Sequence, residues 1–147
     1  MKKLIFLTVA CSLLFCACQK QPATKTTTQK APSTLIKMTT LKKADKNAPY
    51  AALGNTVLVH YTGWIAKPDN TPGRQIDSSV DRKQPLQFTV GLHQVIKGFE
   101  EAATHMQVGQ KSHVIIPSEL AYGEHGVGLF ILPHATLIFD IELLAMK

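Results

Sequence analysis

The sequence predicts an α+β domain, a curved antiparallel β-sheet of about five strands wrapped around one short α-helix. Three observations lead to that class. Apolar and polar residues alternate with a period of two in several short segments, a single segment carries helical spacing, and the joints between them are rich in Gly and Pro. The strands are therefore half-buried and antiparallel, not members of βαβ units.

The 147 residues, 45% hydrophobic and 18% charged, suffice for one globular domain plus a short addition. That addition is N-terminal. Met1-Lys2-Lys3 precedes an apolar run from Leu4 to Ala17, too short to cross a bilayer as a helix but with the length and flanks of a secretory signal. The run ends Phe15-Cys16-Ala17-Cys18, which resembles the lipobox of bacterial lipoproteins; residues 1–17 would then be a lipoprotein signal peptide and Cys18 the acylated N-terminus. Phe15 stands where Leu is usual, which leaves ordinary cleavage, or Cys11, as the alternative.

Residues 18–48 are dominated by Thr, Lys, Gln, Ala and Pro, too few large apolar side chains to offset the entropy of ordering, and read as a flexible tether. Near its end, the stretch from Leu35 to Leu41 has the composition of an edge strand. Charge divides at the same place. Residues 18–49 carry seven lysines against Asp45, a net of +6, whereas residues 50–147 carry seven Lys or Arg against nine acids, a net of −2. The basic character belongs to the tail, so the domain at 49–147 is expected to have no nucleic-acid partner.

Within the domain, Val57, Val59 and Tyr61 alternate with Thr56, Leu58, His60 and Thr62. Leu86, Phe88 and Val90 alternate with Gln87 and Thr89, residues 112–116 form a shorter candidate ended by Pro117, and Leu137, Phe139, Ile141 and Leu143 form the clearest strand. Ile96, Phe99, Ala103 and Met106 fall at helical spacing, with Glu100 and Glu101 near the favourable N-terminal end and Gly109 beyond the other. Residues 67–73, and the stretch from Tyr122 to Pro133, are the long connections.

All three cysteines, Cys11, Cys16 and Cys18, precede the domain, which excludes a disulfide or thiolate metal site from it. No nucleophile elbow, phosphate loop or His-Glu-x-x-His motif occurs, and the six histidines are scattered, so neither a metal nor another cofactor is expected. What remains is an apolar and aromatic set, Tyr61, Ile76, Leu86, Phe88, Val95, Ile96, Phe99, Tyr122, Phe130, Ile131 and Phe139, punctuated by Asp77 and Arg82. Spacing alone does not distinguish a lined groove from ordinary core.

Six blocks in order carry a resemblance: Val59-His60-Tyr61-Thr62-Gly63-Trp64, Ile76-Asp77-Ser78-Ser79, residues 94–101, Ile115-Ile116-Pro117, Ala121-Tyr122-Gly123, and residues 133–144. Together they resemble the FKBP-type peptidyl-prolyl cis-trans isomerases, the macrolide-binding immunophilins. The resemblance implies a pocket between sheet and helix with Phe99 as its floor and Tyr61, Phe88, Val95, Ile96 and Phe139 as walls. It implies Asp77 at the rim, Tyr122 and the Ile96 N–H as donors to substrate carbonyls, and the loop with Phe130 and Ile131 as a flap over the proline ring. Ile76 and Leu86 stand where the family often has Phe, and Phe99 where it often has Trp, so the pocket is slightly less aromatic.

The implied activity is rotation about X–Pro bonds by desolvation and carbonyl hydrogen bonding, without a covalent step. Expected partners are proline-containing polypeptides, macrolide ligands and a membrane reached through the lipid anchor, with a monomeric chain in the cell envelope facing the periplasm, on the outer rather than the inner membrane. The alternative from another class is a chaperone or assembly module that binds proline segments with little turnover.

Overall fold

A computed structural model describes residues 35–147. The expected signal peptide, Cys18 and the tether up to residue 34 lie outside the described residues. The sheet is built on β2 (Thr56–Ala66), whose eleven residues give it two working edges. One edge pairs antiparallel with β6 (Leu137–Met146) from Val57 to Ile65. The other pairs first with β4 (Leu86–Thr89) and then with β3 (Pro72–Ser78). β5 (Lys111–Ile116) lies beyond β6, and β1 (Lys37–Lys42) closes that side, giving the order β1-β5-β6-β2-β3.

The period-two reading explains which face is buried. Val57 and Val59 of β2, Val114 and Ile116 of β5, and Leu137, Ile141 and Leu143 of β6 are all fully buried, and they form one core cluster. Against them packs α1 (Lys97–Thr104) through Phe99, Ala102 and Ala103, with Met106 just beyond. Burial of each Val, Leu, Ile or Phe contributes roughly 1.5–3 kcal/mol, so this seam is the main source of stability. Gly98 lets the helix backbone lie close to β5, because a Cβ there would run into Ile116. The helix ends where the N–H groups of His105 and Met106 donate to Ala102 and Ala103 carbonyls, at 3.1 and 3.0 Å.

Two features depart from the sequence reading. The sheet has a sixth strand: β3, which Pro72 and Gly73 hide, because its seven residues hold one large apolar side chain, Ile76, and no alternation. The ordered domain also extends past the boundary at residue 49, since β1 lies within the segment assigned to the tether and pairs with β5 from Lys37 opposite Ile115 to Lys42 opposite Lys111. Ile36 and Met38 pack on the core and hold it there, as the edge-strand reading of residues 35–41 expected.

The β2–β3 connection is closed locally. Lys67 donates its N–H to the Thr71 carbonyl at 2.9 Å, and Asn70 takes a positive φ of 60° at the tip. Asp69 accepts hydrogen bonds from the Thr71 hydroxyl and N–H, at 2.6 and 3.0 Å, which hold its carboxyl below the ordinary value of 3.8.

Candidate functional site

Between the sheet and the start of α1 lies a cavity of about 250 Å³. Its floor is Phe99, the first large apolar side chain of the helix. Phe99 is held by three rings at near-perpendicular or tilted angles: Tyr61, Phe88 and Phe139, with centroids 5.6, 5.9 and 5.3 Å away. Edge-to-face contacts of this kind contribute about 0.5–1.5 kcal/mol each beyond burial, so the floor is a rigid surface. Phe139 lies close against β2 because its cross-strand partner is Gly63; a Cβ at that glycine would lie 2.5 Å from the Phe139 ring.

The wall on the β3 side depends on an irregular register. Gly63 faces Asp77 and its neighbour Trp64 faces Gln75, which leaves Ile76 as an extra residue. An extra residue of this kind re-aims side chains. Ile76 and Asp77, adjacent in sequence, consequently both line the cavity. Leu86 of β4, then Gln94, Val95 and Ile96 in the link to α1, and Tyr122 after the 3₁₀ turn at Ser118–Leu120 complete the lining.

The rim is polar and ordered. Asp77 accepts the Tyr61 hydroxyl on one carboxylate oxygen, and the Arg82 guanidinium and the Ser78 N–H, the latter at 2.8 Å, on the other. Arg82 also reaches the Tyr61 hydroxyl at 3.2 Å and lies 5.9 Å from the Tyr61 ring centroid. Beneath them, fully buried Ser79 bridges the gap that β3 and β4 leave on the β2 edge: its N–H donates to the Tyr61 carbonyl at 2.9 Å and its hydroxyl accepts the Tyr61 N–H at 2.8 Å. Tyr61 is thus fixed at backbone and hydroxyl alike.

The link to α1 is fixed in a similar way. The Glu100 carboxylate accepts the N–H groups of Gly91 and His93, at 2.7 and 3.3 Å, and the His93 ring at 3.0 Å. Gln94 accepts the Thr89 N–H at 2.8 Å. These bonds set the path that presents Val95 and Ile96. Among the described residues, no acceptor meets the Ile96 N–H and no partner meets the Tyr122 hydroxyl.

Nine of the residues singled out from sequence therefore line one cavity: Tyr61, Ile76, Asp77, Leu86, Val95, Ile96, Phe99, Tyr122 and Phe139. Four lie elsewhere. Phe88 is buried against Phe99, beneath the surface of the pocket, not in its wall. Arg82 acts on the rim through Asp77 and Tyr61. Ile131 belongs to the core, and Phe130 is 69% exposed outside the lining. Gln94 and Ser79 were not singled out for the site; their parts depend on pairing across strands, which a polar side chain in a linear sequence does not announce. Among the described residues, no group of three or more His, Cys, Asp or Glu is placed to hold a metal ion.

Residues 48–144 match the family model described as FKBP-type peptidyl-prolyl cis-trans isomerase. An "FK506-binding protein" of Neisseria meningitidis serogroup B is 51% identical over 94 residues, which cover 64% of this chain and 82% of the relative. The corresponding protein of serogroup A is 50% identical over the same shares of each chain. "FK506-binding protein 1" of Kluyveromyces lactis is 45% identical over 94 residues, 64% of this chain and 78% of that one.

Proposed function

The chain belongs to the FKBP-type peptidyl-prolyl cis-trans isomerases, and from that premise we propose that it lowers the X–Pro barrier by desolvation and hydrogen bonding alone, on proteins exported to the cell envelope. The observation that carries the mechanism is the composition of the pocket: an aromatic and aliphatic floor and walls with polar groups confined to the rim. Rotation about X–Pro faces a barrier of ~18–20 kcal/mol and takes tens to hundreds of seconds unaided. Each ~1.4 kcal/mol removed is worth tenfold, so about 5 kcal/mol brings turnover below a second.

The planar imide is more polar than the twisted one. A dry pocket floored by Phe99 disfavours the planar ground state relative to the transition state, and Ile76, Leu86, Val95 and Phe139 surround the turning ring. The Tyr122 hydroxyl and the Ile96 N–H are the donors that hold the flanking carbonyls and keep the amide part-way round. Asp77 is not a general base. No bond to hydrogen breaks in the reaction, and its carboxylate is already engaged by Tyr61, Ser78 and Arg82. Its part is to present a fixed negative potential at the rim and to orient Tyr61.

The substrates are proline-containing segments of exported polypeptides, and a macrolide such as FK506, for which the relatives are named, fills the same cavity. The signal pattern ending at Ala17-Cys18 supports an acylated chain, and Gln19 in place of Asp after Cys18 favours the outer membrane, with the domain facing the periplasm. Two measurements test this. The purified chain should accelerate cis-to-trans relaxation of a proline peptide, with a reduced rate in Tyr122→Phe and Asp77→Ala; binding without acceleration would overturn the catalytic mechanism. Mass spectrometry of the native N-terminus should find lipid on Cys18, and an unmodified or differently cleaved terminus would overturn the anchor.

A further inference from the structure

The loop at residues 122–133 starts in the pocket, at Tyr122, and returns to the core at Ile131. Its base is closed by its own backbone. Val127 donates its N–H to the Ile131 carbonyl at 2.8 Å, Phe130 and Ile131 donate theirs to Val127 at 3.1 and 3.2 Å, and His134 donates to Gly123 at 2.9 Å. The tip is different: Leu129 is 93% exposed and Phe130 69%, with Leu132 beside them also exposed. One side chain from another element reaches this tip. Arg74 of β3 donates from its guanidinium to the Phe130 carbonyl, across 56 residues of sequence. Arg74 lies two residues along β3 from Ile76, a wall of the pocket.

We infer that Arg74 is a positioning residue for the isomerase reaction: by holding the Phe130 carbonyl it keeps the apolar tip of the loop presented beside the pocket mouth, as a preformed contact for the side chain flanking the substrate proline. The inference rests on the isomerase reading of the pocket given above. Three large apolar side chains are left in water on a loop that begins at a pocket residue, and the Arg74 bond ties their tip to the strand that supplies the pocket residue Ile76. A bound polypeptide with an apolar residue beside its proline would cover them. A tip already held by a side chain of β3 meets that residue without first being ordered, and preformed contacts of this kind act on binding. Arg74 has no access to the reacting imide, so its loss acts on KM and leaves kcat unchanged.

The test compares the full chain with Arg74→Ala and Arg74→Lys on two proline peptides, one with a large apolar residue beside the proline and one with glycine there. In Arg74→Ala the KM for the apolar peptide should rise about fivefold, the worth of one ordinary hydrogen bond, with kcat unchanged and the KM for the glycine peptide unmoved. Arg74→Lys, which keeps a cationic donor, should restore most of the difference. Hydrogen exchange at the Phe130 and Ile131 amides should be faster in Arg74→Ala, while the strands keep wild-type protection. An unchanged KM, an equal rise for both peptides, a fall in kcat, or unaltered exchange at the loop would each overturn the inference while the wild type still isomerises both peptides. A wild type inactive on both would overturn the isomerase reading itself.

Discussion

Phe99 and Phe130 were both expected at one pocket, and their surroundings are opposite. Phe99 is 3% exposed, on a helix, beneath three rings. Phe130 is exposed at the tip of a loop anchored next to it by buried Ile131, and the tip itself is met by a guanidinium and a few backbone hydrogen bonds. The floor is fixed by burial, where every neighbour resists displacement. The tip is fixed by directed bonds that can be removed singly. Changes at the floor should therefore lose stability and activity together, and changes at the tip should alter how substrate binds while the fold stands.

The largest effect is expected at the floor. Phe99→Ala should lower unfolding free energy by ~3–5 kcal/mol in denaturant titration, from lost burial and the cavity left behind, whereas Phe130→Ala should stay within about 0.5 kcal/mol of wild type. Comparable losses in the two variants would break the distinction. Next in size is Gly63→Ala, which sets a methyl group against the Phe139 ring and should cost about 1–3 kcal/mol together with a displaced pocket wall. Its thermal midpoint and its isomerase rate should fall together; an active, fully stable variant would show that the ring has room the geometry denies it.

Smaller again, Tyr122→Phe removes a donor of the proposed mechanism and should reduce kcat/KM by about fivefold to tenfold with an unaltered unfolding midpoint, since the hydroxyl holds nothing within the described fold. The smallest effect is at the β2–β3 tip. Asp69, with its carboxyl depressed by Thr71, contributes stability that is fully present above its unfolded value near 3.8 and is lost as pH falls through the lower folded value. Asp69→Asn should therefore lower the unfolding midpoint slightly at neutral pH, and the gap to wild type should close as pH falls below about 4.

Most strands were legible because β2, β4, β5 and much of β6 bury one face more deeply than the other, which writes a period of two into the sequence. Helix α1 was legible from Phe99, Ala103 and Met106. β3 was not, because an edge partner with a register slip needs little apolar surface, and Ile76 is all it contributes. In the site, Phe99 of α1 and Phe139 of β6 line the cavity, whereas Phe88 of β4, equally apolar and in phase, lies beneath it, because spacing marks a buried face without saying which residue of that face meets the cavity. The loop gave no such rule. Ile131 and Phe130 are consecutive, one in the core and the other in solvent, and only the turn at Val127 decides between them. Arg74 and Ser79 were illegible for a further reason: their partners are Phe130 and Tyr61, brought near by the fold and not by spacing.

On the proposed mechanism the pocket speeds rotation through its environment, with no proton or covalent bond exchanged. That mechanism is tested most directly by measuring kcat/KM for cis-to-trans conversion of one proline peptide in H₂O and in D₂O. The expected ratio is about 1, because no proton moves in a transition state reached by bond rotation alone. A ratio of about 2 or more, as general acid–base transfer through Asp77 or Tyr122 would give, would contradict the account.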